Sequence, residues 1–151
     1  MAQHTVRDPA FEQRVRDSFA RQQFMTTIGA TLERVVPGEV LIAVPFHAAL
    51  TQQHGFLHAG VVASLIDSAC GYAALTLMEP GAGVMSAEFK VNLLAPAAGI
   101  RFVAVGSVVR AGRTLTVCHG ELRAVQDDGE VVVAVMQGTM MAVRDRDGIA
   151  D

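Results

Sequence analysis

The spacing of hydrophobic positions changes character three times along this chain. Phe11, Val15 and Phe19 recur every four residues, with Arg14, Arg16, Asp17 and Arg21 on the other faces. That is the period of an amphipathic helix lying on the surface of a domain. Asp8 suits an N-cap and Pro9 a first helical position, so the pattern predicts a helix over about 9–24. After Gly29 the period shortens to two. Residues 30–45 read as two strands around the turn Pro37-Gly38, with Val40, Ile42 and Val44 alternating with their neighbours. Residues 46–57 read as a loop. Ala59 to Met78 is nearly all apolar and reads as one helix, with Pro80, Gly81 and Gly83 as its stop. Beyond it the period is two again. Ser86, Glu88, Lys90 and Asn92 alternate with Ala87, Phe89, Val91 and Leu93. Further strands follow over 101–110, 114–125 and 131–143, separated by turns at 96–99, 111–113 and 127–129. These last four strands are expected to form a meander, and the polar tail 144–151 to fray.

This order gives an α+β domain. One antiparallel sheet of about six strands has an apolar face that needs cover. The long helix is the only element apolar enough to supply it. Because that helix is apolar nearly all round, the sheet should curl about it, or a second subunit should close its other side. The helical stretch would also match a bilayer in length. Asp67 near its middle, several small residues and the lack of basic anchors favour a buried core helix instead of a membrane span.

The 151 residues fit a single domain over 1–151: the N-terminal helix at about 9–24, a core at about 25–143 and the tail. A hydrophobic fraction of 51% against 18% charged excludes intrinsic disorder and suggests that some apolar surface lies in a subunit interface. The net charge of −3 leaves no basic footprint for nucleic acid. A local arginine cluster can still act on an acidic ligand. Cys70 and Cys118 form no CxxC and read as buried free thiols. The N-terminal stretch lacks the apolar core of a signal peptide, so the expected setting is cytoplasmic.

Asp67 is the residue that does not fit its surroundings. A carboxylate in a buried helix costs several kcal/mol unless it is paired, hydrogen-bonded or open to a cavity. No Lys or Arg occurs from His47 to Phe89. Ser64, Ser68 or a cation from a distant strand would satisfy it in a purely structural role. The functional reading is a base or nucleophile at a ligand pocket. His58-Ala59-Gly60 stands at the start of the same helix, where unsatisfied N–H groups and the positive end of the dipole can polarise a carbonyl. His54 and His58 have a metal-pair spacing, but Gly55 speaks against helix there and no third ligand stands at a matching offset, so no metal is expected. A GxSxG elbow, a P-loop and a GxGxxG turn are absent from the sequence.

Several segments together resemble hotdog-fold thioesterases of the PaaI-like, phenylacetate-pathway type. They are Gln52-Gln53-His54-Gly55-Phe56-Leu57-His58-Ala59-Gly60, then Leu65-Ile66-Asp67-Ser68 and Gly71-Tyr72-Ala73-Ala74, then Ser86 to Pro96, and Arg110-Ala111-Gly112-Arg113-Thr114-Leu115. The likeness runs from about residue 25 to 142. It implies a sheet wrapped around the long helix and a homodimer whose sheets join edge to edge and which pairs again into a tetramer. It also implies hydrolysis of acyl-CoA, with active sites shared between subunits and no cofactor. On this resemblance Asp67 takes the catalytic carboxylate's place, as general base or nucleophile. The backbone N–H of Ala59 takes the oxyanion donor's place, and Gln52 stands at the family's Asn position. His58 is the signature histidine and shapes the helix start, while Ser86 stands where a hydroxyl holds water. Gly60, Lys90, Arg110, Gly112 and Arg113 are the candidates for substrate binding, the three cations toward the CoA phosphates. Ala59 in place of the family's first glycine and Gln52 in place of asparagine are departures from the pattern. The alternative reading is a non-catalytic acyl-CoA or lipid-binding hotdog module. A hotdog dehydratase or hydratase would need a His-Phe-Pro segment or an Asp-x-x-x-x-His loop, which the chain lacks.

Overall fold

The computed structural model describes residues 4–151; the first three, part of the stretch read above for a signal peptide, lie outside it. The chain opens with α1 (Phe11–Arg21) and the short α2 (Gln23–Thr27), followed by the hairpin β1 (Thr31–Val36) and β2 (Glu39–Pro45). A 3-10 turn at Ala48–Leu50 and a loop lead into α3 (Ala59–Leu75). Then come β3 (Gly83–Leu93), β4 (Arg101–Ala111), β5 (Leu115–Gln126) and β6 (Gly129–Val143). All pairings are antiparallel, in the order β1-β2-β4-β5-β6-β3.

The expected four-strand meander holds only for β4, β5 and β6. β3 pairs with β6 at the far edge, and β4 fills the place beside β2. The cause is the helix between them. α3 packs against β2, β3, β4, β5 and β6, so it carries the chain across the whole sheet before β3 begins. Residues 94–100 bring it back over the strand ends. There the N–H of Leu94 donates to the Val133 carbonyl at 2.8 Å, and that of Ile100 to the Val125 carbonyl at 2.9 Å.

The sheet wraps α3 as its apolar circumference demands. Leu65, Ile66, Ala69, Cys70, Ala73 and Leu75 are completely buried, and each large apolar side chain so buried contributes roughly 1.5–3 kcal/mol. Gly106 and Gly120 face each other across β4 and β5. A side chain on Gly106 would overlap the backbone at Ala69 and Cys70, and one on Gly120 would strike Ile66. The helix lies closest to the sheet at this point.

The helix ends differ from the sequence pattern. The first helix starts at Phe11, because residues 8–11 form a turn in which Asp8 accepts the Ala10 N–H at 2.9 Å. It breaks at Gln22, whose backbone is extended (φ −78°, ψ 91°). α3 stops at Leu75, short of Met78. The Thr76 hydroxyl donates to the Ala73 carbonyl at 2.6 Å and accepts the Gly38 N–H at 2.8 Å. Arg14 then takes the carbonyls of Leu75, Met78 and Glu79 at 2.8, 3.1 and 2.8 Å while pairing with Asp8 at 2.9 Å. A cation thus satisfies the acceptors that a helix C-terminus leaves open.

The tail is seated, not frayed. The Asp151 side chain accepts the Ser18 hydroxyl at 2.6 Å and the Val84 N–H at 3.0 Å. No helix among the described residues is long and apolar enough to cross a membrane. Cys70 and Cys118 are free and buried. Burial pushes both thiols up, Cys118 to about 12.

Candidate active site

Asp67 lies midway along α3 on the side facing β3, half-buried. Its Oδ1 accepts the Ser86 hydroxyl at 2.6 Å, and it makes no ion pair among the described residues. Burial raises its carboxyl above the usual range, and the hydrogen bond from Ser86 partly offsets that rise. The local serines do not serve it. Ser64 donates to the Gly60 carbonyl at 2.7 Å, and Ser68 accepts the Gln22 amide at 3.3 Å.

Ser86 reaches Asp67 because β3 carries a bulge. The register with β6 shifts between Ser86 and Glu88. Ser86 pairs with Met140, whose side chain lies in the core, whereas Glu88 pairs with Thr139 and hydrogen-bonds its hydroxyl. Strict alternation put Ser86, Glu88 and Lys90 on one face. The bulge turns Ser86 inward and leaves Glu88 and Lys90 outward, an effect such irregularities often have beside active sites. Lys90 is therefore exposed on the opposite face of the sheet from Asp67.

At the start of α3, His58 is the N-cap, and its Nδ1 accepts the Gly60 N–H at 2.8 Å. Gly60 is thereby committed to the cap, and a side chain there would press on the His58 ring. The Ala59 N–H has no acceptor among the described residues and sits at the positive end of the helix. Ala59 and Gln52 share a largely apolar cleft of about 400 Å³ with Leu93, Leu94, Pro96 and Val133. Gln52 closes its own loop, its side-chain oxygen accepting the His54 N–H.

Asp67 and Ser86 open on a different cleft of about 340 Å³, with Ser18, Arg21, Gln22, Ser68, Gly71, Tyr72, Val84 and Asp151. Asp67 stands eight positions after Ala59 in α3, about 12 Å along the axis. The chain therefore brings Gln52 to Ala59 and Ser86 to Asp67, and keeps the two pairs apart. Arg110, Gly112 and Arg113 lie exposed at the β4–β5 turn, near the opposite end of α3 from Ala59. The Gly112 N–H donates to the Leu115 carbonyl at 2.9 Å. The Arg113 carbonyl accepts from Arg144, which also pairs with Glu79. No cluster of histidine, cysteine and carboxylate groups able to hold a metal occurs among the described residues.

Gln22, Tyr72 and Asp151 were not anticipated as cleft residues. The first lies at a helix break and the third in the tail. Tyr72, the one tyrosine, stands five positions after Asp67.

A six-stranded antiparallel sheet wrapped around one buried helix defines a hotdog-fold protein. The comparisons agree. The model of the thioesterase superfamily matches residues 54–131. A thioesterase family protein from Silicibacter pomeroyi has 52% sequence identity and a TM-score of 0.87, covering 89% of this chain and 98% of that one. An inferred esterase of Halobacterium salinarum is 33% identical over 129 residues, 80% of this chain and 85% of that protein. The fold is also that of the Escherichia coli PaaI protein from the phenylacetic acid degradation operon, with a TM-score of 0.78, 20% identity, and 88% and 93% of the two chains covered. The chain belongs to the thioesterase superfamily.

Proposed function

We propose that the protein hydrolyses acyl-CoA thioesters to the free acid and CoA. The observation that carries this reading is Asp67, a half-buried carboxylate with no ion pair among the described residues, held by Ser86 at 2.6 Å on the wall of a cleft. Such a group is suited to attack at a carbonyl, either by taking a proton from water or as the nucleophile itself. The Ala59 N–H would receive the oxyanion, and Gln52 would orient the thioester from beside it. Arg110, Gly112 and Arg113 are assigned to the CoA end of the substrate, and Lys90, on the opposite face of the sheet from Asp67, is not.

The roughly 12 Å between Ala59 and Asp67 means that one chain cannot place both groups on one carbonyl. A two-fold partner joined through the free edge of β3 would run its helix in the opposite sense. Its Ala59 end would then approach this chain's Asp67. The functional unit in this reading is a homodimer with shared sites.

The test is thiol release from short, long and aryl acyl-CoA esters by the wild-type protein and Asp67→Asn. Turnover by the former that falls at least a thousandfold in the latter is the expected result. No turnover across the panel, with thermal stabilisation by the esters, would favour a binding module instead.

A further inference from the structure

The cleft at Asp67 has a floor and an end wall that come from different parts of the chain. Gly71 lies one helical turn beyond Asp67 on the same face of α3. A Cβ built on Gly71 meets no atom within 4 Å. The missing side chain is therefore not required by packing, and what it leaves is open space in the cleft.

The end wall is Gln22. The extended backbone at this residue interrupts the helical run between α1 and α2 and turns the side chain inward. Its amide nitrogen donates to the Ser68 hydroxyl at 3.3 Å, and its oxygen accepts the Tyr72 hydroxyl at 3.2 Å. Tyr72 is held in turn by an edge-on contact with Phe19, ring centroids 5.8 Å apart. Ser18, Arg21 and Asp151 complete a polar far end.

We propose that this cleft receives the acyl group and that Gly71 and Gln22 set its length. Gly71 leaves the floor open beyond Asp67, and Gln22 closes the end, so the substrate carries a short acyl group. The assignment rests on the thioesterase reading for the position of the thioester at Asp67. Gln22 reaches from Ser68, next to Asp67, to Tyr72, which lies about 7.5 Å beyond Asp67 along the helix, so the cleft has room only for a short chain. A longer alkyl chain would have to displace the hydrogen bonds among Gln22, Ser68 and Tyr72 or bury itself against them unsatisfied.

Binding of S-alkyl-CoA thioethers, which cannot be hydrolysed, tests this directly. Ethyl, butyl, hexyl and decyl derivatives are titrated calorimetrically into wild-type protein, Gln22→Ala, Gly71→Ala and Gly71→Val. The wild-type protein should bind hexyl-CoA at least tenfold more tightly than decyl-CoA. Gln22→Ala should raise the decyl-to-hexyl affinity ratio at least tenfold. Gly71→Val should lower the hexyl-to-ethyl ratio at least tenfold. Gly71→Ala should move it the same way by a smaller factor, and alanine favours helix over glycine, so this variant stays folded. Decyl-CoA as the tightest wild-type ligand, or ratios that stay within threefold in all variants, would overturn the assignment. Hydrolysis of the matching esters is measured separately. Length-dependent binding without hydrolysis would refute the thioesterase reading and leave the cleft assignment standing.

Discussion

At Asp67 the surroundings set how the carboxyl responds to pH. Burial raises the folded-state pKa above the unfolded one. The charged form is therefore disfavoured in the folded protein, and stability present below the unfolded pKa is lost as pH rises through the folded value. Asp67→Asn removes that loss while keeping an acceptor for Ser86. Its Tm should exceed the wild-type value near pH 8, and the gap should close below the ordinary carboxylate range; thermal scans across pH check this. The acidic limb of kcat/KM should likewise fall above the ordinary carboxylate range, because only the ionised group can attack. Arg113 tests the other end of the proposed substrate. Arg113→Ala should raise KM for CoA esters severalfold more than for N-acetylcysteamine esters, which lack the phosphates. Equal effects on both would remove Arg113 from phosphate binding.

Among the elements, the clearest constraint is the approach of α3 to the sheet. Gly106 and Gly120 leave no room for a methyl group. Gly106→Ala should destabilise the fold by roughly 1–3 kcal/mol, as overpacking does, read as a lower urea midpoint with an unchanged slope. The bulge in β3 is the other decisive local feature. The two-residue period correctly marked β3 as a strand, yet it placed Ser86 on the wrong face. One extra residue reverses every side chain beyond it, and nothing in the alternation of this segment announces the insertion. The N-terminal helix was legible from Phe11, Val15 and Phe19. Its job was not, because Arg14 caps α3 only when two distant segments meet.

Considered as a whole molecule, the chain leaves one edge of its sheet conspicuously open. β3 has a single strand neighbour, and its Met85, Phe89 and Leu93 are 45%, 43% and 55% exposed. An exposed apolar edge invites pairing with another strand. Phe89→Asp should convert the proposed dimer to monomer in sedimentation velocity and abolish the proposed hydrolysis with it. A monomer that retains activity would refute the shared site.

The sequence by itself determined the class of fold. A helix apolar on all sides, among strands of period two, must be covered by a sheet curled about it or by a second subunit, and both belong to an α+β domain with one central helix. It also singled out Asp67, since a charge in such a helix demands an explanation, and it placed His58 at the helix start. Tertiary structure alone decided the neighbour of β3, the inward turn of Ser86, the end wall at Gln22 and the seating of Asp151. Each depends on contacts between residues far apart in the chain, and local periodicity reports only which face of an element is buried, not what lies against it.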